Sequence, residues 1–243
     1  MKIAVAQTKP VTGDIQRNIE QHKVLIDLAV SRGVDTIIFP ELSLTGYEPT
    51  MASTLAISPD DRRLDELSIA SETSGITIGA GVPTRHAEGI CISMVLFQPG
   101  KPRRLYSKRY LHSDEEPFFT GGPADTGLIG EGNKLALAIC YEISVPRHAE
   151  DAFSNGAKIY AASVVKSARN IDKALTRLSQ IARVYSMPVL MANSIGQADG
   201  EMCAGKTSVW NDKGQLIKQL DDIHEGLLIF DTGTQDVTVH LSL

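Results

Sequence analysis

Three short segments each carry a polar side chain directly after an apolar stretch that is typical of a buried strand. Glu41 follows TIIFP, Lys108 follows RRLYS, and Cys140 follows LALAI. Strand ends in α/β folds open onto clefts, so side chains at these places can converge although they are far apart in sequence. A thiol, a carboxylate and an ammonium together can perform nucleophilic catalysis, in which the thiol attacks, the carboxylate moves protons and the ammonium stabilises an oxyanion.

Cys140 has two interpretations on the residues alone. Most free cysteines are small buried hydrophobes, and a cysteine at the end of an apolar strand fits that description. The chain then turns toward a predicted helix near 146–155, and the unpartnered N–H groups of a helix start stabilise an anion. This favours the thiolate below the free-thiol pKa of about 8.5. The sequence shows no Cys-His-Asn arrangement of the papain kind, which indicates a carboxylate as the activating base.

Glu41 and Lys108 are also ambiguous when each is taken alone. An exposed loop acid and a surface cation are their ordinary interpretations. However, the flanks Phe39, Leu42 and Leu44 are apolar and predict partial burial of Glu41. Burial raises the pKa of a carboxyl group toward the range that is useful for proton transfer.

The composition argues against several classes of function. The net charge is -5 and the basic residues are scattered, which argues against binding to a phosphate backbone. No apolar stretch approaches the roughly 20 residues of a membrane span, and the first residues lack the apolar core of a signal peptide. The 3 cysteines form no zinc-like pairs and indicate free thiols in a reducing compartment. We therefore expect a cytoplasmic protein without nucleic-acid or membrane partners.

Strand and helix patterns alternate along the 243 residues without repeats or a linker. Helical periodicity is predicted for 14–33, 58–75, 146–155 and 171–186, and apolar runs between them predict strands. Several strands follow each other directly, as in the hairpin KTSVWN–DKG–QLIKQL. This mixture favours two packed sheets with helices outside, in one α/β domain.

The ordered trio of polar segments resembles the nitrilase, or carbon–nitrogen hydrolase, superfamily. That family carries a glutamate in an FPE segment, then a lysine in K-x-x-L, then a cysteine in C-Y-[DE]. Here these stand as FPELSLTGY, SKRYLHSDEEPFFTGG and LAICYEISVP, followed by GKTSVWNDKG. The resemblance covers essentially the whole chain. It implies a four-layer α-β-β-α sandwich and a single carbon–nitrogen hydrolase domain over 1–243.

The resemblance also implies roles for the three residues. Cys140 would attack an amide or nitrile carbon, release ammonia or an amine, and form a thioester. Glu41 would move the protons and activate the hydrolytic water, while Lys108 and the backbone N–H of Tyr141 would hold the oxyanion. Neither a metal nor an organic cofactor is implied. A homodimer or higher homo-oligomer that pairs across its helical faces is expected.

Further site residues follow from the same resemblance. Family members carry a second glutamate before the glycine pair, and the count falls on Glu115, with Glu116 as the alternative one residue later. The acids around it also fit an ordinary solvated run. Tyr47 and Phe118 match aromatic positions that line the substrate pocket, where we also expect Tyr141.

The chain departs from many relatives at the nucleophile, where Ser144 replaces an arginine. This difference weakens any transfer of substrate from the arginine-bearing branches. His112 and Lys166 are also candidates for substrate selection, although the ordinary interpretation of Lys166 is a solvated surface lysine. Cys91 fits a core position, and Cys203 lies in a glycine-bearing segment predicted to be a loop that borders the pocket.

The leading functional hypothesis is an amidase that hydrolyses a small carboxamide, of the omega-amide or N-carbamoyl type. A nitrilase acting on a small nitrile is one alternative. A catalytically silent binding or scaffold member of the same fold is another, and an ammonia-producing partner of a separate synthetase is a third.

Overall fold

The computed structural model describes residues 1–130, 132 and 134–242, and these form alternating strands and helices. The strands are β1 (Lys2–Gln7), β2 (Thr36–Ile38), β3 (Thr77–His86), β4 (Gly89–Phe97), β5 (Arg104–Ser107), β6 (Leu128–Ile129), β7 (Leu135–Ile139), β8 (Ile159–Ser163), β9 (Val189–Ala192), β10 (Ile195–Ala198), β11 (Glu201–Ala204), β12 (Ser208–Trp210), β13 (Leu216–Gln219), β14 (Gly226–Asp231) and β15 (Val237–Leu241). The helices are α1 (Ile15–Ser31), α2 (Ala52–Leu55), α3 (Asp65–Ser74), α4 (Pro146–Ser154) and α5 (Ile171–Tyr185).

The strands of the described residues form two large sheets and one small hairpin. The first sheet has the order β15-β14-β1-β2-β3-β4-β5, the second has the order β13-β12-β9-β8-β7-β6, and β10 pairs with β11. The large sheets pack face to face through contacts of β1 with β9 and of β12 with β14. Helices α1 and α3 pack on the first sheet, and α5 packs on the second and contacts α4. The predicted α-β-β-α sandwich is confirmed.

The central strand β1 shows why these sheets are apolar on both faces. Ile3 and Val5 belong to the core between the two sheets, whereas Ala4 and Ala6 belong to the core beneath α1 and α3. Side chains alternate along a strand, so a strand that is covered on both sides reads as a continuous apolar run. The sequence KIAVAQ has this property, which explains its central place in the sheet.

Helix boundaries agree with the predicted caps in one case and not in another. Helix α1 is capped by Asp14, whose carboxylate accepts from Arg17 N at 3.1 Å. The predicted start of the next long helix at Ser58 is wrong. A short 3-10 turn comes first, with Asp61 as its cap accepting from Arg63 N at 2.9 Å, and α3 begins only at residue 65. Gly75 ends α3 in the left-handed conformation, as predicted.

The strand directions bring the predicted polar residues to one edge of the sandwich. Strands β1, β2 and β3 are parallel, and β5 runs in the same direction as β3 because both pair antiparallel with β4. In the second sheet β7, β8 and β9 are parallel. The hydroxyl of Ser163, at the end of β8, donates to the carbonyl of Phe39 at 2.8 Å and links the two sheets at this edge. Among the described helices, none combines the length and apolar character needed to cross a bilayer.

Candidate active site

Glu41 is held in a tight turn that follows β2. Leu44 N donates to Gly81 O at 2.9 Å, and Leu42 adopts a positive φ of 50°. A Cβ at Gly81 would lie 2.3 Å from the backbone nitrogen of Leu42, so only glycine allows this close approach. The turn is therefore packed against β3 and fixes the direction of the Glu41 side chain.

Lys108 joins two buried carboxylates into what we call the carboxylate–lysine cluster (Glu41, Lys108 and Glu115). Its Nζ donates to Glu41 Oε1 at 2.8 Å and to Glu115 Oε1 at 2.6 Å. All three side chains are almost completely buried. The neighbouring Glu116 is exposed, so Glu115 is the acid that contacts the lysine. The alternative one residue later is thereby excluded as the lysine's partner.

Glu115 is itself fixed by two further donors. The hydroxyl of Tyr47 donates to its Oε1 at 3.0 Å, and the backbone N–H of His112 donates to its Oε2 at 2.8 Å. These two hydrogen bonds fix the orientation of the carboxylate. Glu115 is therefore well placed to hold the Lys108 ammonium in one position.

The pKa of Glu41 and the pKa of Lys108 are both raised, for different reasons. Burial raises the pKa of Glu41, and repulsion from Glu115 adds to this, while Lys108 counteracts it. Oxygen Oε2 of Glu41 has no hydrogen-bond partner among the described residues, which leaves it able to accept a proton. Burial opposes the charge of Lys108, but Glu41, Cys140 and Glu115 outweigh it and raise the pKa of the ammonium. Lys108 therefore stays charged.

Cys140 stands at the start of a 3-10 turn that follows β7. Its backbone has a positive φ of 41°, an uncommon conformation for a non-glycine residue. The sulfur lies 3.7 Å from the carbonyl oxygen of Val165. Burial and the charge of Glu41 raise the pKa of the thiol, although Lys166 and Lys108 lower it. The prediction of a lowered pKa is therefore wrong, because sequence did not reveal the depth of burial or the nearby carboxylates.

Glu142 ties the turn of Cys140 to the turn of Lys108, and sequence reasoning assigned it no role. Its Oε2 accepts from Ile139 N at 2.8 Å and from the Tyr106 hydroxyl at 2.7 Å. Its Oε1 accepts from Arg109 N at 2.8 Å. The two backbone donors are the immediate neighbours of Cys140 and Lys108. The acid of the C-Y-E segment was the available signal, but its partners Arg109 and Tyr106 are 33 and 36 residues away in sequence.

A cavity of about 600 Å³ opens beside Cys140. The three predicted substrate-contacting aromatics all line it, and Phe118 is 37% exposed. The ring of Tyr141 packs edge-on against His112, with the ring centroids 5.2 Å apart. The residues that line the cavity include Tyr47, His112, Glu115, Phe118, Cys140, Tyr141, Ser144, Lys166, Lys173 and Cys203.

Lys166 and Cys203 each differ in one respect from the placement that the sequence predicted. Lys166 is half-buried in the cavity wall, so the interpretation as a solvated surface lysine is wrong. Cys203 borders the cavity as predicted, but it lies in β11 and not in a loop. Cys91 is buried in β4, which confirms its core position.

The carbon-nitrogen hydrolase family model matches residues 2–238 of this chain. A nitrilase from Pyrococcus abyssi is 22% identical over 246 residues, covering 99% of this chain and 91% of the relative. An (R)-stereoselective amidase from a Pseudomonas species is 25% identical over 224 residues, covering 89% of this chain and 80% of the relative. Other curated relatives are longer, and the chain spans between 39% and 57% of their length.

Solved structures show the same architecture. A cysteine variant of the amidase from Nesterenkonia sp. AN1, in complex with butyramide, aligns with a TM-score of 0.86. The two share 22% identity, and the alignment covers 97% of this chain and 92% of the other. Likeness at this level of identity establishes the fold, and the family match extends over nearly the full sequence. The chain therefore belongs to the carbon–nitrogen hydrolase family.

Proposed function

We propose that this protein is an amidase that hydrolyses a small carboxamide, of the omega-amide or N-carbamoyl type, through a thioester on Cys140. The observation that carries this proposal is the buried carboxylate–lysine cluster beside the Cys140 thiol at the base of a cavity. Residues 1–243 act in this proposal as one carbon–nitrogen hydrolase domain.

In the first half-reaction, Glu41 takes the proton of the Cys140 thiol. The sulfur attacks the carbonyl carbon, and the electron pair of the C=O bond moves to oxygen. The Lys108 ammonium and the backbone N–H of Tyr141 stabilise this oxyanion. When the intermediate collapses, the C–N bond breaks, and Glu41 gives its proton to the leaving nitrogen. Ammonia or an amine departs, and the acyl group remains on sulfur as a thioester.

In the second half-reaction, Glu41 takes a proton from a water molecule that attacks the thioester carbon. The same donors hold the oxyanion until the C–S bond breaks. The carboxylic acid product leaves, and Cys140 regains its proton from Glu41. One water is consumed for each amide bond, and the protein returns to its starting state.

The electrostatics of the site support these roles. The raised pKa of Glu41 suits a group that must accept and return a proton. Lys108 remains an ammonium throughout, which suits a fixed stabiliser of negative charge. Glu115 acts by holding Lys108, and Tyr47 acts by holding Glu115.

The cavity supports a small substrate with an apolar part. Tyr47, Phe118 and Tyr141 are proposed to contact it, since all three line the cavity of about 600 Å³. The structural neighbour from Nesterenkonia binds butyramide, which is a small amide of comparable size to the proposed substrates.

An ammonia-release screen over omega-amides, N-carbamoyl amines, simple amides and nitriles tests the proposal. Cys140→Ala should abolish turnover without loss of fold, whereas Cys203→Ala, a second cavity thiol, should retain it. Mass spectrometry with slow substrates should find the acyl adduct on Cys140. Turnover by the Cys140→Ala variant, or an adduct confined to another cysteine, would contradict the assignment.

A nitrilase activity is the second candidate, and the Pyrococcus abyssi relative that covers 99% of this chain favours it. Release of ammonia from nitriles without activity on any amide would select it over the amidase. A folded protein that is inactive on the whole panel would instead support a silent binding member of the family.

We propose a cytoplasmic homodimer that pairs through α4 and α5. The rings of Phe153 and Tyr185 lie 5.4 Å apart on these helices, and the side chain of Val184 is 65% exposed. Exposed apolar groups that adjoin one another favour association. Light scattering should give twice the monomer mass, and Val184→Glu should reduce it to one monomer. A monomeric parent protein would refute the dimer.

A further inference from the structure

Lys166 is a second cation at the nucleophile, in addition to Lys108. It follows β8 by three residues and lines the same cavity wall as Cys140. The carbonyl of its neighbour Val165 lies 3.7 Å from the Cys140 sulfur, so this segment of the chain directly contacts the nucleophile.

The backbone of Lys166 is fixed by a completely buried asparagine. Lys166 N donates to Asn193 Oδ1 at 2.8 Å, and Asn193 Nδ2 donates to Lys166 O at 3.2 Å. The same Nδ2 donates to Gly205 O at 2.6 Å, and Asn193 N donates to the Thr207 hydroxyl at 3.0 Å. Ala204 N also donates to Lys166 O, at 2.8 Å. The position of Lys166 is therefore built into the core.

Lys166 lines the cavity together with Cys140 and has no ion-paired carboxylate of its own among the described residues. The negative charges of Cys140 and Glu41 raise the pKa of Lys166, and burial lowers it. Lys108, by contrast, is already shared by the two carboxylates of the carboxylate–lysine cluster.

We propose that Lys166 is the cationic partner of the Cys140 thiolate and holds the proton of the thiol on Glu41 before substrate binds. In this step the S–H bond breaks, its electron pair stays on sulfur, and the proton forms an O–H bond with Glu41. The inference rests on the proposed role of Cys140 as nucleophile.

The other groups around Cys140 explain why a dedicated cation is needed. The carboxylates of Glu41 and Glu115 face the sulfur and disfavour a thiolate, while Lys108 favours it. The Cys203 thiol and the Tyr47 hydroxyl also face it, and both are neutral because burial raises their pKa. The charge of Lys166 therefore offsets the repulsion that the thiolate would meet from the carboxylates.

Alkylation of Cys140 by iodoacetamide, followed by peptide mass spectrometry from about pH 5 to pH 10, measures the thiolate directly. Lys166→Met should raise the apparent pKa of alkylation by about 1 to 2 units. At neutral pH the alkylation rate should then fall by about 10- to 100-fold. Lys166→Arg should retain the parent profile, and Lys173→Met, which removes another cavity lysine, should leave it unchanged.

A profile of Lys166→Met that matches the parent protein would overturn the proposal, and so would a parent Cys140 that resists alkylation at every pH. If the methionine variant does not fold, Lys166→Gln gives the same comparison with a polar side chain. Alkylation needs no amide substrate, so the two proposals fail separately. If Lys166→Met shifts the pH profile of alkylation but the parent protein turns over no amide, only the amidase proposal is refuted. If amides are turned over but the alkylation profile does not shift, only the proposed role of Lys166 is refuted.

Discussion

Glu142 offers the sharpest test of how this site is held together. Its carboxylate accepts the backbone N–H groups of Ile139 and Arg109 and the hydroxyl of Tyr106. Glu142→Gln keeps the shape of the side chain but leaves only one acceptor oxygen. Either the buried N–H of Ile139 or the part-buried N–H of Arg109 must then face the amide nitrogen without an acceptor.

The magnitude follows from these contacts. A buried donor without a partner costs about 1 to 3 kcal/mol, and the loss of charge from a remaining hydrogen bond costs about 1 kcal/mol more. We therefore expect Glu142→Gln to lose about 2 to 4 kcal/mol of unfolding free energy. For a chain of this size the melting temperature falls by roughly 4 to 16 °C.

The pH dependence of this loss identifies its cause. Burial raises the pKa of Glu142, but hydrogen bonding and charge attraction from His148, with the Ile139 and Tyr106 donors, lower it below its ordinary value of 4.5. A carboxyl group with a lowered folded pKa stabilises the protein fully above the unfolded value. That stabilisation disappears as the pH falls through the folded value. The difference in unfolding free energy between the parent protein and Glu142→Gln should thus be constant near neutral pH and become smaller below pH 4.5.

Urea unfolding at several pH values measures this difference, and two tyrosine variants supply matched controls. Tyr106→Phe removes a hydroxyl that donates to Glu142 and also contacts His148 Nε2, whereas Tyr160→Phe removes a hydroxyl whose one side-chain partner among the described residues is His148. The first should cost about 1.5 to 3 kcal/mol and the second about 1 kcal/mol. In the proposed amidase, Glu142→Gln should also lower kcat by about 100-fold with little change in KM, because Cys140 and Lys108 lose their common anchor. A variant as stable as the parent at neutral pH would refute the reasoning.

Three further predictions test the turn that holds Glu41, the buried His22 that contacts Ser43 of that turn at 2.9 Å, and the carboxylate–lysine cluster. Gly81→Ala should fail to fold or lose most of its stability, because its Cβ would lie 2.3 Å from the backbone of residues 40–42. In the control Gly75→Ala, the new Cβ meets nothing within 4 Å, and the variant should lose about 1 kcal/mol of unfolding free energy because of its positive φ. A thermal shift assay that finds the two variants equally stable would contradict this. Burial lowers the pKa of His22 to about 4. The contribution of His22 to the unfolding free energy should therefore be complete above pH 6.5 and fall by about 3 kcal/mol toward pH 4. In urea titrations, His22→Gln should flatten this dependence on pH. Tyr47→Phe should lower kcat/KM by about 5- to 10-fold on any amide found active, since it removes one hydrogen bond from the carboxylate–lysine cluster, and an unchanged value would remove Tyr47 from that role.

The long elements could be predicted from sequence because their periodicity is strong. The helices predicted for 14–33 and 171–186 lie at Ile15–Ser31 and Ile171–Tyr185. The hairpin β10–β11 and the strand β15 were not predicted. Their residues are partly exposed, and the segment IGQADGEMCA is poor in the β-branched residues that identify a strand. Pairing with a neighbour and not local propensity makes them strands.

The residues of the site also fall into those that local sequence could predict and those that it could not. The ends of apolar strands pointed to Glu41, Lys108 and Cys140, since a polar residue after a buried run is a local feature of sequence. The role of Glu142 and the burial of Lys166 depend on partners that are distant in sequence, 33 residues for Arg109 and 27 for Asn193. No local pattern contains these pairings.

In the proposed mechanism, the buried groups around Cys140 allow the thiol proton to move to Glu41 without a large cost. With the proton on sulfur, the carboxylates of Glu41 and Glu115 balance the ammonium groups of Lys108 and Lys166. With the proton on Glu41, the thiolate and Glu115 balance the same two lysines. The set is neutral in both states, so the transfer moves charge within the site and buries no new net charge. Without Lys166 the set would carry an excess negative charge in either state, and Lys108 would be the one cation of the set left to stabilise the thiolate.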